Sequence, residues 1–164
     1  MSEATSFLPP EVEHAYFDDG VDQARRLGAG IINTTVLIVP VDGEPAVVQQ
    51  LSPIFNETLM GDYAVVSDHL RADGWTIPRL LPAADGSDYK KDEQGKVWRA
   101  FEFIESDEDV VGEAEKLTEY GSILGKLHTS LRTLDYEPVF ALPHFHDTQY
   151  YATHLSEVSA DIPS

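Results

Sequence analysis

Gly28-Ala29-Gly30-Ile31-Ile32-Asn33-Thr34-Thr35 opens into the apolar run Val36-Leu37-Ile38-Val39, which reverses at Asp42-Gly43 and returns as Ala46-Val47-Val48-Gln49-Gln50. The pattern predicts a strand, a glycine loop, a second strand and a third. Glycines remove the Cβ atoms that would hold a backbone away from a bound phosphate, and free amides in such a loop donate to its oxygens. Two glycines before a hairpin also serve the turn alone, and by spacing alone that role is the commoner one.

The 164 residues suffice for one domain with a core, or for one lobe and the start of another. With 42% hydrophobic and 10% aromatic residues the chain is expected to fold. Eleven Lys plus Arg against 29 Asp plus Glu give a formal charge of -18, which argues against nucleic acid and anionic membrane surfaces as partners. There is no cysteine, so disulfides, thiolate chemistry and zinc ribbons are excluded. Met1 to Ser6 lacks a basic, then apolar, leader pattern, and no run approaches the ~20 apolar residues of a membrane span. A cytoplasmic location is the expectation.

Outward from the opening stretch, Pro9-Pro10 and the acids after it predict a short helix through Phe17. A first strand is expected over Val21 to Leu27. Asn56 can cap a helix whose apolar positions Leu59, Met60, Tyr63, Val66 and Leu70 follow a 3.6-residue period, ending at Asp73-Gly74. A short strand at Arg79-Leu80-Leu81 follows, then a hairpin of Tyr89 to Asp92 with Lys96 to Ile104. In its second strand Val97, Arg99, Phe101 and Phe103 share one face; Trp98, Ala100, Glu102 and Ile104 share the other. After the acidic linker Glu105 to Asp109, a long amphipathic helix is expected over 111–131. A proline-containing loop leads to a last helix near Gln149, capped by Asp147 or Thr148.

The glycine turn, Val48-Gln49-Gln50-Leu51, Ile54-Phe55, Val97-Trp98-Arg99 with Phe103-Ile104-Glu105, and His144-Phe145-His146-Asp147-Thr148 together resemble the aminoglycoside phosphotransferase, kinase-like superfamily. They are most similar to its N-acetylhexosamine 1-kinase branch, over roughly Val21 to Val158. The resemblance implies an α+β fold: a protein-kinase-like N-lobe, an antiparallel sheet with one long helix, over residues 1–104, then the first helices of a helical C-lobe over 105–164. It implies ATP as cofactor and a small-molecule sugar as acceptor in the full-length enzyme. Gly28, Gly30, Asn33 and Thr34 occupy positions that cover the phosphates, and the backbone around Phe103 and Ile104 would hold adenine. Related kinases place a lysine on the third strand against the phosphates. Here Gln49 stands there, as in the hexosamine kinase branch, with donors but no net charge.

The superfamily's His-x-Asp-x-x-x-x-Asn loop and metal-binding Asp are not found. His14, His69, His128, His144, His146 and His154 are followed two positions later by Tyr16, Arg71, Ser130, His146, Thr148 and Ser156. No residue is therefore assigned as catalytic or as a metal ligand, Mg2+ is expected to need a missing C-lobe, and these residues alone are expected to be inactive. The chain reads as the amino-terminal part of such an enzyme; the alternatives are a non-catalytic nucleotide-binding or interaction module, or an enzyme acting on an amino alcohol or aminoglycoside. His144-x-His146-Asp147 admits a metal reading, but helix entry is the stronger role of Asp147 and Thr148. Glu57, Asp62 and Asp68 are read as a solvated acidic face of the first long helix. The apolar stripe of the 111–131 helix predicts self-association.

Overall fold

The computed structural model describes residues 7–28, 30, 32–105 and 114–160. Ala29 and Ile31 of the glycine turn, linker residues 106–109 and Val111 lie outside these. The elements are α1 (Pro10–Tyr16), β1 (Val21–Arg26), β2 (Thr34–Pro40), β3 (Ala46–Gln50), α2 (Thr58–Ala72), β4 (Leu80–Leu81), β5 (Lys90–Lys91), β6 (Val97–Glu102), α3 (Ala114–Leu131) and α4 (Thr148–Ala160). The six strands form one antiparallel sheet in the order β1-β2-β3-β6-β4. β5 pairs with the first residues of β6 while β4 pairs nearer its end, so the outer edge of this long strand is covered in two pieces. Edge strand β1 is mostly exposed and carries Asp22, Arg25 and Arg26, charges that discourage pairing with another chain.

Alternation of side chains gives the sheet two distinct faces. On one, Val36, Ile38, Ala46, Val48, Trp98 and Ala100 pack with Leu8, Val12 and Phe17 from α1 and its flanks. Val36, Ile38 and Val48 are wholly excluded from solvent, and burial of each contributes about 1.5–3 kcal/mol. Trp98 is wedged into this core with its indole Nε1 donating to Asp92 Oδ2 at 2.9 Å. Desolvation pushes the Asp92 carboxyl up, but hydrogen bonds from Trp98 and the Lys96 and Gln94 amides outweigh it, and the net shift is downward.

α2 closes the end of the sheet, where Met60 packs with Leu51 and Val97. Asn56 Oδ1 accepts from the Thr58 amide at 3.0 Å and so orders the helix entry, in line with the capping expectation. The solvated acidic face expected of α2 needs correction at Asp62, which is only 6% exposed. Its carboxylate accepts from the Tyr136 hydroxyl at 2.7 Å and from the amides of Val139 and Phe140 at 2.8 and 2.7 Å. Helical period alone put Asp62 near Glu57 and Asp68, but only the returning 136–140 segment reveals its partners. Glu57 and Asp68 remain at the surface and pair with Lys91 and Arg71. Among the described residues no helix is long and apolar enough to cross a membrane.

Candidate functional site

The second face of the sheet floors a cleft of about 1100 Å3. Leu37, Val47, Phe101 and Phe103 line one part of it, Leu27, Gln49 and Arg99 another, and Tyr63 of α2 stands behind them. Strand phase explains the arrangement: these residues alternate with the buried Val36, Val48, Trp98 and Ala100. Register then determines who meets whom. Thr35 lies opposite Gln49 on β3, and Gln49 lies opposite Arg99 on β6.

That row is hydrogen-bonded throughout. Gln49 Nε2 donates to Thr35 Oγ1 at 3.2 Å, and Gln49 Oε1 accepts from Arg99 Nε and Nη2 at 3.2 and 3.0 Å. The Arg99 guanidinium carbon lies 4.7 Å from the Phe101 ring centre and 5.8 Å from that of Tyr63, within cation–π range. Among the described residues Arg99 has no carboxylate partner. Burial pushes the guanidinium below its ordinary value, yet an arginine stays protonated at neutral pH. Burial also pushes the Tyr63 phenol up, so the hydroxyl stays neutral and donates to the Pro78 carbonyl at 2.6 Å.

Two features of the glycine turn require glycine. Gly28 has φ of 64°, in the left-handed region, and a Cβ on Gly30 would collide with the Asn33 carbonyl oxygen. Asn33 Oδ1 accepts from the Ser52 amide at 2.9 Å and ties the turn to the end of β3. Of the residues singled out from sequence, Gln49, Phe103 and Ile104 line the cleft, and Gly28 adjoins Leu27 at its rim. Thr34 shares the phase of Val36 and lies toward the opposite face; the threonine on the cleft side is Thr35. The Phe103 amide donates to the Pro45 carbonyl at 3.3 Å and is engaged within the sheet.

Sequence reasoning assigned no role to Arg99, although it grouped that residue with Phe101 and Phe103. The available signal was a lone cation inside the otherwise apolar segment Val97-Trp98-Arg99-Ala100-Phe101. At the His144 motif, Asp147 Oδ1 accepts from the Tyr150 amide at 2.9 Å, which is the helix-entry role. The His144 ring stacks on Tyr150 with centres 3.5 Å apart. Among the described residues no three His, Asp or Glu side chains converge as a metal site.

No protein-family model matches the sequence. No curated protein matches it either. Among solved structures the chain is similar to the amicoumacin kinase hAmiN in complex with AMP-PNP, Ca2+ and Ami, at 16% identity and a TM-score of 0.59 over 75% of this chain and 38% of that one. It is similar to a microcompartment-associated aminopropanol kinase, at 19% identity and a TM-score of 0.58 over 77% of this chain and 41% of that one. An aminoglycoside phosphotransferase from Alicyclobacillus acidocaldarius matches 95% of this chain and 45% of its own, at 16% identity and a TM-score of 0.59. At such identities the likeness is one of fold: an α+β, kinase-like N-lobe, as the motifs implied. The chain spans less than half the length of each of these structures.

Proposed function

We propose that this chain is the nucleotide-binding part of an ATP-dependent small-molecule phosphotransferase of the aminoglycoside phosphotransferase superfamily. The carrying observation is one cleft on the inner face of a kinase-like sheet, with Leu37, Val47, Phe101 and Phe103 toward one end beside the charged Arg25, Glu102 and Glu105, and the hydrogen-bonded Gln49–Arg99 pair at the other. In this reading adenine lies toward Phe103 and Ile104. With the Phe103 amide engaged, the polar contacts to the base fall to the Phe103 carbonyl and to Ile104. Gly28, Gly30, Asn33 and Thr34 belong to the turn covering the phosphates, with Thr35 on its cleft side. The N-lobe ends at residue 104, and 105–164 begin a helical C-lobe.

Magnesium, when bound, would neutralise phosphate charge. The described residues offer no cluster of ligands for it, so none is assigned, and the reading assigns metal and catalytic carboxylates to the rest of the enzyme. The motifs favour an N-acetylhexosamine as acceptor, in a cytoplasmic enzyme. An amino alcohol or aminoglycoside is the alternative acceptor, supported by the aminopropanol kinase likeness, and a non-catalytic nucleotide-binding or interaction module is the alternative role. Coupled ADP release with each acceptor class, on these 164 residues and on any longer product of the same locus, tests the reading. Turnover is expected only from the longer product; robust turnover by the short chain would overturn the assignment of catalysis to missing residues.

A further inference from the structure

We propose that Arg99 supplies, from β6, the positive charge that binds nucleotide phosphate in this cleft, and that Gln49 positions it. The inference rests on the nucleotide reading above; of the two arginines lining the cleft, Arg25 lies on edge strand β1 opposite Leu37, and Arg99 is the one paired with Gln49. β3 offers only the neutral Gln49 where a phosphate-binding lysine would stand, but the residue directly across the ladder is an arginine on the same face. The two side chains therefore form one unit: glutamine oriented by Thr35, arginine oriented by glutamine. In kinases the lysine is held by a glutamate from the helix. Here the α2 side chains nearest Arg99 are Met60, whose sulfur lies 3.9 Å from Nη1, and Tyr63, and neither carries charge.

Three physical points converge on an anion. Arginine has five N–H donors; Gln49 uses two and the thioether is a weak acceptor, so donors remain for a ligand. A half-buried cation is costly without an anion, and Arg99 has none among the described residues. Among the described residues Glu102 and Glu105 line the same cleft, yet neither pairs with Arg99, so its charge is left to a ligand. Finally, Arg99 lies four residues before Phe103 on an extended segment, about 13 Å away at strand rise. A base at the Phe103 end then directs its phosphates toward the guanidinium and the glycine turn.

Calorimetric titration of the full chain with ATP and with adenosine separates charge recognition from packing. Arg99→Met is expected to weaken ATP binding about ten- to hundredfold, with adenosine affinity nearly unchanged. Placing the charge one strand over, with Gln49→Lys added to Arg99→Met, is expected to restore much of the ATP preference. Arg99→Gln, which still reaches Gln49 but lacks charge, takes the place of the Met variant should that one not fold. An undiminished preference for ATP over adenosine in the neutral variants, or equal loss of both ligands, overturns the role of Arg99 while leaving the nucleotide site standing. Failure of the unaltered chain to bind either ligand overturns the nucleotide reading itself.

Discussion

The sheet and the two carboxy-terminal helices carry apolar periodicity of similar clarity, and the chain treats them oppositely. In the sheet, Val36, Ile38 and Val48 have no exposure at all. Along α3 and α4, Leu117, Leu124 and Leu155 are 68%, 53% and 69% exposed, although they sit at helical spacing. An apolar stripe thus announces that a face can be covered, without saying by what. The regions meet through specific contacts centred on α2. Asp62 holds Tyr136, Val139 and Phe140; Trp75 Nε1 donates to Ser130 Oγ at 2.9 Å; and Phe55 and Phe140 pack with ring centres 5.7 Å apart.

The strongest test of this contrast is Trp98→Ala. It opens a void among the sheet residues and removes a donor from Asp92, with an expected loss of about 3–5 kcal/mol in urea denaturation. A loss below about 1 kcal/mol would mean that this core is not the seat of stability.

Asp62→Ala comes next. Hydrogen exchange at the Val139 and Phe140 amides is expected to accelerate roughly tenfold or more, with sheet amides little changed. Equal loss of protection in the sheet would show that the two regions open as one unit. Acid should mimic the substitution. The Tyr136 hydroxyl, then the Val139 amide, hold the Asp62 carboxyl below its usual range, with burial opposing them. A depressed folded value means that the contact is complete above the ordinary carboxylate pKa and is lost as pH falls through the folded one.

The smallest stability effect is expected from Leu124→Ala, within about 0.5 kcal/mol, because its side chain is already largely in solvent. Self-association through these exposed faces is the expectation to test. Sedimentation that remains monomeric over a wide concentration range would count against that, and a large Leu124→Ala destabilisation would erase the contrast between the regions.

Much of this architecture was legible from residues. The alternation around Val36 and Ile38 located β2, the period-two pattern sorted Trp98 to Phe101 into the two faces of β6 but misplaced Glu102 and Ile104, which line the cleft because the strand ends at Glu102, and Asn56 and Asp147 marked the helix entries where their side chains accept backbone hydrogen bonds. The site was legible in part. Gln49, Phe103 and Ile104 line the cleft, whereas Thr34 and Thr35 could be told apart only once the phase of β2 was tied to the core.

Local sequence determined the elements and their faces because propensity, turn chemistry and periodicity act over a few residues. Tertiary structure alone decided the long-range pairings across the cleft floor and around α2. Gln49 and Arg99 are 50 residues apart, and no local pattern states that strand register sets them opposite each other. Asp62 reads as a surface acid until a segment more than 70 residues later brings three donors to it. Such partners are specified by register and packing, which belong to the folded chain as a whole.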